Sequence, residues 1–207
     1  GGFIAMLEKS GCTLSFSHFM SRLVKTRRQS LLCTAVLGLL IFIDDYLNAL
    51  ATSAAMKRLT DRFGVSREKL AYIVDSTAAP ICVLVPISTW AVYFAELLET
   101  NGATDGPGMW LYIQSIPYML YGWVAMGLVF LVAMSIVPDL GPMKTAEARA
   151  RAGQTIPDGA PDEPLGDDTP RGNPWLGLFN FVAPMAVLIG ASAYFEIDLL
   201  KGVIAAT

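Results

Sequence analysis

The sequence predicts an all-α membrane protein, a polytopic helical chain that contains a re-entrant hairpin and a broken, discontinuous transmembrane helix. Three observations carry this. The 207 residues are 54% hydrophobic and only 16% charged, below the roughly 25% charged usage of soluble domains, and the mean hydropathy is +0.49. Two stretches, 109–137 and 174–195, run for 29 and 22 residues without a charge, and roughly 20 apolar residues cross the hydrocarbon of a bilayer. Aromatic residues mark their ends, Trp110 and Tyr112 on the first, Trp175 and Tyr194 on the second, as interfacial belts do. The competing reading, a large soluble helical core, would need buried helices of this length with no polar face, which is unusual.

The elements follow from where Lys and Arg fall, because these mark the cytoplasmic ends of spans. Residues 1–29 read as the end of a truncated element, GGFIAMLEKSG, followed by a cytoplasmic basic segment with Arg22, Lys25, Arg27 and Arg28. The lone His18 stands beside that segment and reads as an interfacial residue. A second basic cluster, Lys57, Arg58, Arg62, Arg67 and Lys69, makes 57–69 a cytoplasmic loop; Ser66, with Glu68 in the next turn, fits the N-cap of the helix that follows. Residues 96–108 carry Glu96, Glu99 and Asp105 and no base, which makes them external. The chain thus crosses outward over 70–95, inward over 109–137 with tilt or a kink at Pro117, and outward again over 175–195. Between the last two, 138–174 holds seven acids, four bases and many Pro and Gly, and reads as a flexible cytoplasmic linker. Residues 196–207 begin a further element. A start at Gly-Gly and a stop inside a rising apolar run suggest a fragment. The three cysteines, Cys12, Cys33 and Cys82, are too scattered for a disulfide framework or a metal site.

One segment breaks the alternation. Residues 30–56 have basic clusters on both flanks and the pair Asp44 and Asp45 in the middle of LIFIDDYLNAL. A re-entrant hairpin resolves this, with one limb over 30–43, the acids near the tip and a return over 46–56. At about 1.5 Å per residue the limbs measure roughly 21 and 16 Å, a little over half of a core about 30 Å thick. A single span of 27 residues with the acids at its centre is the alternative. Either way an intramembrane acid costs about 2.5 to 3.5 kcal/mol on the insertion scale, and two adjacent carboxylates resist joint ionisation, so that one holds a proton more readily. Asn48, a helical turn beyond the pair, can donate to a carboxylate or offer its own oxygen to an ion. The blander reading is a hydrogen-bond cluster that pins the tip.

The crossing 70–95, LAYIVDSTAAPICVLVPISTWAVYFA, has one charge, Asp75, followed by Ser76 and Thr77, and two interior prolines, Pro80 and Pro86. Proline removes the N–H that would serve the carbonyl four residues back, here those of Ser76 and Cys82. Such breaks survive in a membrane when buried in protein or lining a wet cavity. Freed carbonyls, hydroxyls and a carboxylate are hard oxygen donors of the kind discontinuous helices present to small cations. A plain proline kink with Asp75 near an interface remains the alternative.

GLLIFIDDYLNAL together with LTDRFGVSREKLAYIVDSTAAPICVLVPIS resembles the NhaC-type Na+/H+ antiporter family of the ion transporter superfamily, most densely over 38–90; beyond residue 109 the similarity is mainly hydropathic. The resemblance implies a secondary transporter of the prokaryotic cytoplasmic (inner) membrane, multi-pass, built from inverted repeats in which hairpins face broken helices. On this view the chain is a polytopic helical transporter fragment. Asp44, Asp45, Asn48, Asp75, Ser76 and Thr77 form the Na+ and proton site, with Pro80 and Pro86 as the helix breaks. The expected partners are the bilayer, Na+ and H+, the missing C-terminal half of the same transporter, and a second copy if it is a homodimer; nucleic acid is not among them. No cofactor is implied, and no nucleophile–base pair or metal cluster suggests an enzyme. Some relatives exchange organic acids such as malate for lactate, so a Na+/H+-coupled organic-anion exchanger stays open, as does a membrane scaffold or sensor that transports nothing.

Overall fold

The computed structural model describes residues 12–102 and 106–157, with Gly159, Phe179, Val182, Ala183, Pro184, Ala186, Val187 and Gly190 further on. The predicted crossing 175–195, apart from those positions, and the elements 1–11 and 196–207 lie outside the described residues. What is described is all helical: α1 (Cys12–Leu23), α2 (Arg27–Leu40), α3 (Asp45–Arg62), α4 (Arg67–Leu84), α5 (Thr89–Thr100), α6 (Gly108–Ser115), a 3-10 turn (Ile116–Tyr118), α7 (Leu120–Ala133) and α8 (Pro142–Arg151).

Local chemistry sets most of the helix ends. Thr26 caps α2 in a capping box: its hydroxyl accepts from Gln29 N at 3.2 Å, and the Gln29 side chain accepts from Thr26 N at 3.2 Å. At the end of α3, Gly64 has φ +64°, the left-handed conformation glycine adopts without strain. Gly64 N donates to the Asp61 carbonyl and Val65 N to the Thr60 carbonyl, both at 3.0 Å, the paired bonds of a Schellman stop. Ser66 then caps α4 by accepting from Lys69 N at 3.2 Å, so α3 and α4 are joined by only four residues. The cytoplasmic loop expected over 57–69 is therefore shorter than its basic residues suggest, because Leu59 and Thr60 are buried and hold the last turns of α3 helical.

The buried stripe of α3 is Asn48, Ala51, Thr52, Ala55, Met56, Leu59 and Thr60, at the three- and four-residue spacing of one helix face. Its small residues let neighbouring backbones approach. Ala51, Ala55, Met56 and Leu59 pack with Phe16 and Val24, with Ile41, and with Leu70 and Val74 of α4. A second cluster joins Leu31 and Ala35 of α2 to Ile73 of α4 and Val129 and Ala133 of α7. A third joins Leu84 to Ala91, Tyr112 and Ile116. Since α4 enters all three clusters, it is the central element.

Among the described residues no single helix is long and apolar enough to cross a membrane. Two bent pairs are, by length and composition: Arg67–Leu84 with Thr89–Thr100, bent by 45°, and Gly108–Tyr118 with Leu120–Ala133, bent by 52°. The second bend falls at Met119, directly after the turn holding Pro117. In the first, the break lies at 85–88 rather than at both prolines. Pro80 stays buried inside α4, since a helix packed by neighbours tolerates one missing bond. Pro86 sits in the break, where Ser88 starts a new helix by accepting from Ala91 N at 3.1 Å.

The expectation for 138–174 is corrected in part: Pro142–Arg151 form a helix with Ala146, Glu147 and Ala150 buried. Proline at its first turn and the alanines favour the helix, and charge holds it in place. The Glu147 carboxylate accepts from Ser66 N at 2.9 Å and Ser66 Oγ at 2.8 Å, pairs with Arg27, and lies 3.8 Å from Lys69 Nζ. Lys69 also binds Asp139 at 2.6 Å, and Arg149 binds Glu68 at 2.7 Å. Beside this network, burial pushes the Asp61 carboxyl above its ordinary range against the pull of Arg67, 2.6 Å away.

Candidate functional site

Between α2 and α3 the helix is interrupted over 41–44, and the chain doubles back, so that Asn48 Nδ2 donates to the Gly38 carbonyl at 2.6 Å. Between α4 and α5 it is interrupted over 85–88. The two interruptions meet. Thr89 N and Thr89 Oγ1 both donate to the Ile43 carbonyl, at 2.9 and 3.1 Å, Thr89 Oγ1 lies 3.5 Å from Asp44 Oδ2, and Trp90 Nε1 donates to Asp45 Oδ1 at 3.2 Å. Four helix ends converge here, the C-terminal ends of α2 and α4 and the N-terminal ends of α3 and α5.

Two carbonyls freed by the second break, those of Cys82 and Val83, have side-chain partners. The Ser88 hydroxyl donates to the Cys82 carbonyl, the group whose helical donor Pro86 removes. Tyr112 Oη donates to the Val83 carbonyl at 2.6 Å, and Val85 N donates to the Ile81 carbonyl at 3.0 Å. Such satisfaction keeps a broken helix viable away from water.

On the hairpin side Asp44 caps α3, its Oδ1 accepting from Leu47 N at 2.8 Å, and the positive end of the α3 dipole lies beside its charge. Asn48 is fully buried; besides its bond to Gly38, its Oδ1 accepts from Thr52 Oγ1 at 3.0 Å. Gly38 is pressed so closely onto α4 that a Cβ there would overlap Thr77 Oγ1. Thr77 Oγ1 in turn donates to its own helix, at the Ile73 carbonyl, 2.8 Å.

The structure thus gathers Asp44, Asp45, Asn48 and Thr77 around the crossing of the hairpin with α4 and α5. It does not bring Asp75 there. Two residues from Thr77, and so about 200° around the helix, Asp75 is exposed on the outer side of α4, with Ser76 half-buried. Pro86 belongs to the break and Pro80 does not. Sequence reasoning missed Ser88, Thr89 and Trp90. The available signal was Ser-Thr after a proline and ahead of an apolar helical run, an N-cap pattern hidden by treating 70–95 as one crossing. Among the described residues no group of three or more His, Cys, Asp or Glu could hold a metal ion by itself, so a cation here would rely on carbonyl and hydroxyl oxygens as well as carboxylate.

Asn48 yields a direct prediction. Asn48→Ala strands the Gly38 carbonyl and the Thr52 hydroxyl inside the hairpin and is expected to cost about 2–3 kcal/mol, read as a lower thermal midpoint in detergent. Adding Thr52→Val should recover part of the loss, because one stranded group is then gone.

Helix interruptions that face each other and present acid, hydroxyl and carbonyl oxygen are the construction of secondary transporters. The chain belongs to the Na+/H+ antiporter family, whose match covers residues 1–123. It is also 39% identical over 137 residues to an uncharacterized protein of Haemophilus influenzae, covering 64% of this chain and 26% of that protein. The chain therefore spans about a quarter of the length of this relative. No solved structure matches.

Proposed function

We propose that this chain carries the exchange site of an NhaC-type secondary antiporter that moves Na+ against H+ across the prokaryotic cytoplasmic membrane. The observation that carries the reading is the meeting of the two helix interruptions at Asp44 and Asp45. Each state of the exchange has a place there: a proton on a carboxylate, or a cation among carboxylate, hydroxyl and carbonyl oxygens. Residues 30–56 act as the re-entrant hairpin and α4–α5 as the broken helix against it. Thr77 contributes from α4, with Ser76 half-buried beside it and Asp75 exposed on the outer side of that helix. An organic-anion exchanger would need an open donor pole. Both N-terminal ends at the crossing are filled by their own caps, Asp44 and Ser88, and two carboxylates repel an anion, which favours the cation.

The test is Na+-dependent proton flux through the full-length protein in proteoliposomes. Asp44→Asn and Asp45→Asn are each expected to reduce the flux by about tenfold or more, the scale of losing one interaction of roughly 1.4 kcal/mol; Asp75→Asn is expected to do so less. Normal flux in all three would remove the site from this place.

A further inference from the structure

We propose that the adjacent aspartates have separate tasks: Asp44, with Thr89 Oγ1 and the Ile43 carbonyl, exchanges proton for cation, while Asp45 is a positioning residue held by the Trp90 indole. This rests on the exchange reading above and assigns the atoms within it.

Thr89 Oγ1 lies 3.1 Å from the Ile43 carbonyl and 3.5 Å from Asp44 Oδ2. Oxygens set at right angles about 2.4 Å from a hard cation stand about 3.4 Å apart, so Thr89 Oγ1 stands near the spacing of a neighbouring ligand from each of the other two. The other oxygen of Asp44 is committed, accepting from Leu47 N at 2.8 Å, and this aims Oδ2 at Thr89. A threonine hydroxyl has a single proton. With that proton on the Ile43 carbonyl, Thr89 Oγ1 is an acceptor, and a protonated Asp44 Oδ2 supplies the missing donor. Once Asp44 loses the proton, the single Thr89 proton serves one acceptor at a time, the Ile43 carbonyl or Asp44 Oδ2, and the remaining lone pairs of Thr89 Oγ1 and Asp44 Oδ2 are open to a cation. One proton leaves for water as one monovalent cation enters, so charge at the site is conserved. Proton and cation use the same atoms and exclude each other.

Asp45 differs in its partner. Trp90 Nε1 approaches Asp45 Oδ1 at 3.2 Å, and an indole N–H can only donate, which serves the ionised carboxylate. The indole is pinned by its neighbours, with Tyr93 edge-on and Phe94 tilted, each with ring centroids 6.0 Å away, and Phe94 is stacked on Tyr112. The indole N–H thereby holds the Asp45 carboxyl group in place beside Asp44. Among the described residues, the titratable groups facing Asp44 are Asp45 from its own helix and Cys82 from α4; α5 contributes the neutral Thr89 and Trp90.

The experiment measures the apparent KM for Na+, the maximal rate and the pH profile of exchange by the full-length protein in proteoliposomes. Thr89→Ala is expected to raise the KM for Na+ by about tenfold or more, the loss of one ligand, and Thr89→Ser to restore it. Trp90→Phe, which keeps the ring and loses the donor, is expected to shift the pH profile and leave the KM for Na+ within about twofold. Asp44→Asn should be silent, whereas Asp45→Asn retains measurable exchange. An unchanged KM in Thr89→Ala overturns the assignment, as does residual exchange in Asp44→Asn with none in Asp45→Asn. If both Asn variants are silent, the Thr89 pair decides. Normal exchange in both Asn variants refutes instead the exchange site on which the assignment rests.

Discussion

Gly38→Ala is expected to destabilise the protein by about 2–3 kcal/mol and to lower the proposed exchange with it, although it adds a single methyl group. Overpacking of a filled contact costs on the order of 1–3 kcal/mol, and this position offers little relief. The new Cβ would overlap Thr77 Oγ1 and stand 3.0 Å from Thr77 Cβ. Thr77 is fully buried, and its hydroxyl is engaged with the Ile73 and Val74 carbonyls at 2.8 and 3.0 Å, so rotating it away sacrifices those bonds. The remaining response is for α2 to retreat from α4. That retreat would pull on the Gly38 carbonyl held by Asn48, and through Asn48 on the start of α3 beside Asp44. Loss of exchange should therefore exceed what a lower population of folded protein explains. Thr77→Ala introduced together with Gly38→Ala removes the worst overlap and leaves the 3.0 Å approach, so the double variant should recover part of the thermal midpoint. No recovery would mean that the glycine serves some need other than the close approach.

Much of this arrangement is legible in the sequence, and the rest is hidden for physical reasons. The break beside Asp44 shows because a carboxylate pair in an apolar run cannot continue an ordinary buried helix, and because aspartate is a preferred cap. The Ser66 cap and the bend directly after Pro117 show through equally local rules. Pro80 misleads because proline marks a missing hydrogen bond without revealing whether surrounding helices hold the chain straight. Thr89 and Trp90 meet Asp44 and Asp45 across 45 residues, and no local pattern encodes such a meeting. The helix α8 hides most completely. Its composition is that of a solvated linker, and the groups that bury Glu147 lie elsewhere in the chain, Ser66 being 81 residues away.

Glu147 is accordingly where the second large effect is expected. Its side chain is 2% exposed, and one carboxylate ties together the N-terminal ends of α2, through Arg27, and of α4, through Ser66 and Lys69. Removing one member of a buried charge group costs about 3–5 kcal/mol when its partners are left uncompensated. Here Lys69 retains Asp139 and Arg27 is partly exposed, so Glu147→Ala is expected near the lower figure, about 3 kcal/mol. Glu147→Gln keeps an oxygen for Ser66 N and Oγ but turns an NH2 that cannot accept toward Arg27 and Lys69, and should fall between Ala and the native protein. The neighbouring pair of Arg149 with Glu68 is more open to solvent, with side-chain exposures of 22% and 34%, and Arg149→Ala should cost no more than about 1 kcal/mol. Hydrogen exchange separates the two outcomes of losing Glu147. If α8 is held chiefly by this carboxylate, the amides of 142–151 lose protection in Glu147→Ala while those of α3 keep theirs. If protection stays in place, Ala146 and Ala150 are enough to dock the helix, and the carboxylate instead serves to hold α2 and α4 together at the end of the bundle opposite Asp44 and Asp45.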